Sequence, residues 1–364
     1  MRYIDEYRDP ALAKALIRKI EELSDSINHP VAIMEICGSH TAAIGRFGIR
    51  HVLPPHIQLL SGPGCPVCVT SPAEIDAALH LACQDNVLFA TFGDMIRVPA
   101  TAGLSLQVIR SRGQDVRVVL SPLDALRLAE ENRGKEVIFM GIGFETTAPA
   151  IAAVMQRARK KDQENFSVLS VLKTIPPVLD MLVHDPSLRI DGFLCPGHVS
   201  IITGIDIYQP LAATRRAAVI TGFESVDILQ GIAMILEQIV QGQFSVAIQY
   251  CRGIKPQGNE RARMIMADVF ETTSSQWRGM GWLDNSGLVP GTMYQKWDAW
   301  KKFTIPAFTS TEPAGCSCGA VIRGATSPVD CPLFKTICTP LNPVGPCMVS
   351  SEGTCAAYFK YNFN

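Results

Sequence analysis

The sequence predicts an α/β fold built on parallel sheets, and three observations carry that reading. Short runs rich in Val, Ile, Leu and Phe recur along the first two-thirds of the chain. They end in loops containing Gly or Pro. Amphipathic helical patterns stand between several of them. A strand that is apolar at nearly every position has both faces covered, as in a parallel sheet between helix layers. With 364 residues, 47% hydrophobic and 18% charged, the chain has ample core for two or three domains.

Taken in order, residues 3–24 read as a helix, because Leu12, Leu16, Ile20 and Leu23 recur at helical spacing. Eight strand runs follow: "VAIMEI" (31–36), "IQLL" (57–60), "VLFATF" (87–92), "VRVVL" (116–120), "VIFMGIGF" (137–144), "FSVLSVL" (166–172), "DGFLC" (191–195) and "AAVITGF" (217–223). Helical patterns include "SPLDALRLAEENR" (121–133) and "SVDILQGIAMILEQIVQG" (225–242). Units repeating every 21 to 30 residues or so suit either one eight-stranded barrel or two doubly wound domains. In both, functional loops lie at the carboxyl ends of the strands. After about residue 250 the rhythm stops. "CRGIKPQGNERARMIMADVFETTSSQWRGMG" holds one helix, and the remainder, rich in Gly, Pro, Trp and Cys, reads as a separate terminal module.

Composition excludes several classes of function. A net charge of −1, from 33 basic and 34 acidic residues, argues against a nucleic-acid binder and a polybasic membrane anchor. No apolar run approaches the roughly 18–20 residues that span a bilayer. The opening residues have no long apolar core and no small-residue cleavage site, so no signal peptide is expected. The expectation is a cytoplasmic protein, in which the 12 cysteines bind metal or do redox chemistry rather than form structural disulfides.

Cysteines and polar residues gather in strand-end loops. In "MEICGSHT", Cys37 ends a strand and His40 follows in the same loop; both are ligand types for soft or borderline metals. Cys37 reads equally well as a buried small hydrophobe, and Glu35 as a core-edge carboxylate or a group supporting the loop. In "SGPGCPVC", Gly62, Pro63 and Gly64 force an irregular backbone that could hold Cys65 and Cys68 at a surface. A C-x-x-C at a helix start has one acidified thiol. Without a matching second C-x-x-C nearby, structural zinc is disfavoured, and a mobile dithiol beside Cys37 is the better reading. Further strand-end loops offer Asp94 and Arg97, then Glu145, Thr146 and Thr147, then Cys195, His198 and Ser200, then Glu224. Each alone has a structural reading, such as a helix cap. "GIGFET" lacks the third glycine of a dinucleotide fingerprint, and no G-x-x-x-x-G-K-[ST] exists.

The tail carries Cys316, Cys318, Cys331, Cys338, Cys347 and Cys355, spaced C-x-C-x12-C-x6-C-x8-C-x7-C. Four thiolates suffice for a 4Fe-4S cluster. Zinc favours paired C-x-x-C knuckles, which are missing here. Iron–sulfur chemistry is therefore favoured over zinc.

Together and in this order, "EICGSHT", "GPGCPVC", "TFGDMIRVP", "GIGFETTAP", "LCPGHVS" and the six-cysteine tail resemble the HypD family of hydrogenase maturation factors, from residue 30 to residue 355. The resemblance implies two tandem doubly wound parallel-sheet α/β domains facing a cleft, plus a C-terminal cysteine-rich 4Fe-4S module. The corresponding boundaries are 1–25 for an N-terminal helix packed on the C-terminal module, 26–133 and 134–248 for the two domains, and 249–364 for the module.

The resemblance also implies a scaffold for the Fe(CN)2CO unit of nickel–iron hydrogenase. It would hold iron while cyanide and carbon monoxide are attached, in complex with the small chaperone HypC, with cyanide delivered by HypE and HypF upstream. Before complex formation it would be a monomer. Cys37 would be the iron ligand with His40 beside it, Cys65 and Cys68 a redox-active dithiol, and Glu352 in "SSEGTC" a helper in the cleft. The tail resembles the module of ferredoxin–thioredoxin reductases, where a cluster works beside a disulfide. The family pattern has Thr where this chain has Ser39, and both are small hydroxyl residues. Because C-x-C cysteines rarely both bind one cube, Cys318, Cys331, Cys338 and Cys355 are assigned to the cluster. Cys316 and Cys347 are left as a nearby dithiol or alternative ligands. The rival from another class is a stand-alone iron–sulfur disulfide reductase acting through Cys65 and Cys68; a third reading is a zinc-stabilised binding protein.

Overall fold

The computed structural model describes residues 5–361. All eight expected strands form: β1 (Val31–Glu35), β2 (Ile57–Ser61), β3 (Val87–Thr91), β4 (Val116–Val118), β5 (Glu136–Gly141), β6 (Phe166–Ser170), β8 (Gly192–Pro196) and β9 (Ala217–Thr221), with the short β7 (Leu172–Lys173) between β6 and β8. Every residue of β1, β3, β6, β8 and β9 is buried, as expected for strands covered on both faces. A further strand, β10 (Val246–Ile248), closes one edge.

The strands form two parallel sheets, of order β10-β9-β8-β1-β2 and β4-β3-β5-β6. This corrects the tandem arrangement. The boundary at 133/134 cuts through the second sheet, and β1 and β2 join strands from beyond residue 190. The helix Ser225–Gln241 explains the choice. Its Ile228, Ile232 and Ile235 bury against Val31, Ile33, Leu194 and Val219 together, so one apolar stripe needs β1 and β8 side by side. The second sheet is covered on one face by Ala125, Leu126 and Ala129 on one helix and Ile151, Ala152 and Met155 on another, and its opposite face, with Phe89, Ile138 and Leu169, packs in the cluster that holds Leu79, Ala82 and Ile109.

The N-terminal helix runs Pro10–Asp25, after a 3-10 turn at Asp5–Arg8; residues 3 and 4 of the expected helix lie outside the described residues. Asp9 caps it, its carboxylate accepting the N–H groups of Ala11 and Leu12, with Pro10 at the first turn. The helix packs on Ser225–Gln241, burying Ile20, with a Lys19–Glu237 ion pair at 2.5 Å. It was expected on the C-terminal module; its apolar stripe instead completes the outer face of the first sheet.

The segment after residue 249 holds the expected helix, Glu260–Val269, and an unexpected antiparallel hairpin, β11 (Phe270–Trp277) with β12 (Gly281–Pro290), which adds β7 as a third strand. Buried Lys173 pins this sheet. Its Nζ donates to Glu74 Oε1 (2.9 Å), Ser275 Oγ (2.7 Å) and the Gln276 carbonyl (2.9 Å). Among the described residues no helix is long and apolar enough to cross a membrane.

Candidate functional site

In an open parallel sheet, ligands bind beyond the carboxyl ends of strands where the strand order reverses. The first sheet reverses between β1 and β8, the second between β3 and β5. These are the strands whose loops carry Cys37 and His40, Cys195 and His198, Asp94, and Glu145. Tyr208 lies within electrostatic reach of Cys195 and Cys37 from the first sheet and of Glu145 from the second.

Cys37 is the residue before the helix Gly38–Arg46; the His40 N–H donates to its carbonyl at 2.9 Å, and the amides of this first turn act to lower its thiol. Helix-start amides favour a thiolate. Burial opposes them, as does the neighbouring carboxylate of Glu352, and the thiol is pushed up to about 12. Cys37 therefore stands as a protonated thiol at neutral pH. Glu352 is kept in place by Ser39, whose Oγ donates to it at 2.9 Å. Burial raises the Glu352 carboxyl, and Asp94 adds to that rise. Asp94 in turn accepts from Ser350 Oγ at 2.9 Å. A chain of contacts thus runs from the second sheet through the tail to Cys37.

His40 is fully buried. Its Nε2 lies 3.2 Å from the Thr221 carbonyl and 3.0 Å from that of Gly222. Two acceptors place the proton on Nε2, leaving Nδ1 as a bare acceptor. Burial lowers the pKa to about 4, so the ring is neutral. It stacks on Phe223 at 4.6 Å, and His198 stacks on the same ring at 4.0 Å. Glu35 is also buried; it accepts from Thr41 Oγ1 (2.5 Å) and the Cys37 N–H (3.3 Å), and burial pushes its carboxyl up to about 7.

The "SGPGCPVC" loop is tied over this site. The Gly62 N–H donates to the Glu35 carbonyl (2.8 Å) and the Gly38 N–H to that of Gly64 (3.1 Å). Cys65 and Cys68 form a disulfide at the start of the short helix Pro66–Val69. They are 4% and 0% exposed, so the expectation of a surface dithiol is corrected. The tail covers them, because Pro66–Val69 packs against the helices Cys318–Ile322 and Pro346–Val349.

The tail thiols form one group. Cys316 and Cys318, Cys318 and Cys347, and Cys347 and Cys355 lie near enough to shift one another's ionisation. Cys338 lies within electrostatic reach of Cys316 and Cys331. Arg278, which the sequence reading passed over, spans both sulfur sets. Its backbone N–H donates to the Val69 carbonyl (2.9 Å), its Nε to that of Thr70 (3.0 Å), and its Nη1 to Glu312 (2.5 Å). Its only sequence signal is an arginine between Trp277 and Gly279 at the start of the terminal module.

A model of the HypD family, described as the Hydrogenase formation hypA family, matches residues 11–362. The chain belongs to the HypD family. It is 44% identical to the hydrogenase maturation factor HypD of Rhodobacter capsulatus, across 99% of this chain and 98% of that protein. It is 42% identical to HypD of Escherichia coli K12, across 99% and 98%. It is 39% identical to HypD of Cupriavidus necator, across 99% and 97%. The 4Fe-4S cluster implied by HypD resemblance can be tested against the tail. Among the described residues no group of three or more His, Cys, Asp or Glu is already arranged around one metal-ion position. The donors nevertheless fit in type and number, being six soft thiols in one tail segment. Gly345 keeps the space open, as a Cβ there would fall 3.0 Å from Cys316 Sγ and 3.3 Å from Cys318 Cβ.

Proposed function

We propose that this HypD chain acts in hydrogenase maturation as an assembly scaffold that holds an iron ion at Cys37 while cyanide and carbon monoxide are attached. Iron is the cargo here, not a resident cofactor. One observation carries the reading. Cys37, buried at a helix start, lies between the Cys65–Cys68 disulfide loop and Glu352 of the tail. A cation at that sulfur takes the place of the thiol proton. A single cysteine leaves the iron open to donors from a partner, which suits HypC as the chaperone and HypE, fed by HypF, as the cyanide carrier.

When bound in the tail, a 4Fe-4S cluster supplies single electrons at low potential. Cys318, Cys331, Cys338 and Cys355 would hold it, with Cys316 and Cys347 as alternative ligands. The Cys65–Cys68 bond takes two electrons and two protons to become two thiols, drawn in single steps from a low-potential one-electron donor. Exchange with the disulfide needs access to a sulfur atom. Its burial under the tail favours this internal relay over a stand-alone reductase that attacks free substrates.

The test is Mössbauer spectroscopy on anaerobically purified protein, with and without the co-expressed small chaperone. The expected result is a cluster signal in both samples and a low-spin ferrous signal only with the chaperone, with infrared bands of bound cyanide and carbon monoxide. A spectrum unchanged by the chaperone would overturn the scaffold and favour the reductase.

A further inference from the structure

Arg278 is 2% exposed, yet its Nη2 has no hydrogen-bond partner among the described residues. Buried guanidinium N–H groups are rarely left unpaired. The others are used: Nε on the Thr70 carbonyl, just past the Cys65–Cys68 disulfide, and Nη1 on Glu312. The next residue, Gly279, has φ +73° and lies backbone to backbone with Gly319, the neighbour of Cys318. A Cβ on Gly279 would fall 2.3 Å from the Gly319 Cα, so the close approach depends on both glycines. That contact holds Arg278 beside the helix Cys318–Ile322, whose first residue carries the Cys318 thiol.

We propose that Arg278 sets the reducibility of the tail's sulfur site, its free Nη2 bonding to anionic sulfur at Cys318 in the loaded protein. This rests on the reading that the tail holds a cluster. Reduction adds one electron from a low-potential one-electron donor and breaks no bond, so the site gains one negative charge. A fixed positive charge and an N–H bond to sulfur favour the more negative state. Glu312 opposes them, because its carboxylate partly cancels the guanidinium. The pair acts as an adjustable bias on electron delivery to the neighbouring disulfide.

The two partners predict shifts of opposite sign. Anaerobically reconstituted wild type, Arg278→Gln, Arg278→Lys and Glu312→Gln are titrated with dithionite, and the reduced cluster is followed by electron paramagnetic resonance. At a fixed potential, Arg278→Gln should lower the reduced-to-oxidised ratio about tenfold, equivalent to about 59 mV for one electron. Arg278→Lys, with the charge but not the fork, should fall between it and wild type. Glu312→Gln should raise the ratio. Glu312 lies at the edge of the fold, so that variant decides the matter even if Arg278→Gln does not fold. Ratios within twofold of wild type for the variants that load, or shifts of the same sign, would overturn the role of Arg278 alone. A wild type that takes up no cluster would overturn the cluster reading and this role with it.

Discussion

Gly64 lies so close to Cys37 that a methyl group on its α-carbon would fall 2.3 Å from both the Cys37 Cα and the Cys37 backbone N. No alanine fits without one loop moving off the other, and the atoms in the way are backbone rather than a flexible side-chain end. Gly64→Ala should cost about 3 kcal/mol, the upper part of the usual overpacking range, and should lower iron binding at Cys37. Urea denaturation and iron stoichiometry on the same preparation check both effects. Unchanged stability would mean that the loops are not in contact.

Cys37 and the tail thiols are separate sulfur sets joined through Glu352 and the disulfide loop. Cys37→Ala should abolish chaperone-dependent iron binding and leave the visible absorbance of the cluster at its wild-type level. Iron analysis beside an absorbance spectrum measures the two independently. Iron retained at the wild-type level would rule out Cys37 as the ligand.

Lys173 bonds to Glu74, Ser275 and the Gln276 carbonyl from a position 1% exposed. Removing one partner of such a pair leaves an uncompensated charge, at a cost of about 3–5 kcal/mol. Glu74 retains some access to water and also caps the helix after Ser71, which puts Lys173→Met near the lower end. The double variant Lys173→Met with Glu74→Gln should recover part of the loss. Chemical denaturation of the single and double variants reads the coupling.

Glu145 accepts the Ile175 N–H at 2.8 Å through one oxygen and has no partner on the other. Burial raises its carboxyl to about 7. The folded chain therefore binds more protons than the unfolded chain between about pH 4.5 and 7. Stability falls as pH rises through that window, by about 2–3 kcal/mol for this group. Glu145→Gln keeps the acceptor for Ile175 and removes the titration. Its melting temperature relative to wild type should climb from pH 5 to pH 8. A constant difference across that range would show that Glu145 ionises freely in the fold.

The strands were legible because runs such as "VLFATF" and "VIFMGIGF" are apolar throughout, a signal that needs no partner to be read. Which strands pair is set by packing between distant segments. Nothing in Val31–Glu35 announces that Gly192–Pro196 will lie beside it, and the joining stripe of Ile228, Ile232 and Ile235 looks like any amphipathic helix. The hairpin was missed for a different reason. "FETTSSQW" is mostly polar, its register slips between Thr273 and Ser275, and its partner also pairs with the distant Leu172–Lys173. At the site, Cys37, His40, Cys65, Cys68 and Glu352 were legible as residues and do come together. The burial of the two C-x-x-C sulfurs was not, since the tail that covers them lies some 250 residues further on. Arg278 was invisible because a lone arginine carries no pattern.

The interleaving of the two sheets fixes an order of events during synthesis. β1 and β2 leave the ribosome first, bringing Cys37, Cys65 and Cys68 with them, yet their neighbours β8 and β9 follow only after the whole second sheet has emerged. Domains form as units during synthesis, so the second sheet is complete while the first is still two strands. The tail that seals the disulfide comes last. The sulfur atoms on which the proposed chemistry rests are thus made early and covered late. Throughout that interval Cys65 and Cys68 lack the cover that the helices Cys318–Ile322 and Pro346–Val349 give them in the finished fold.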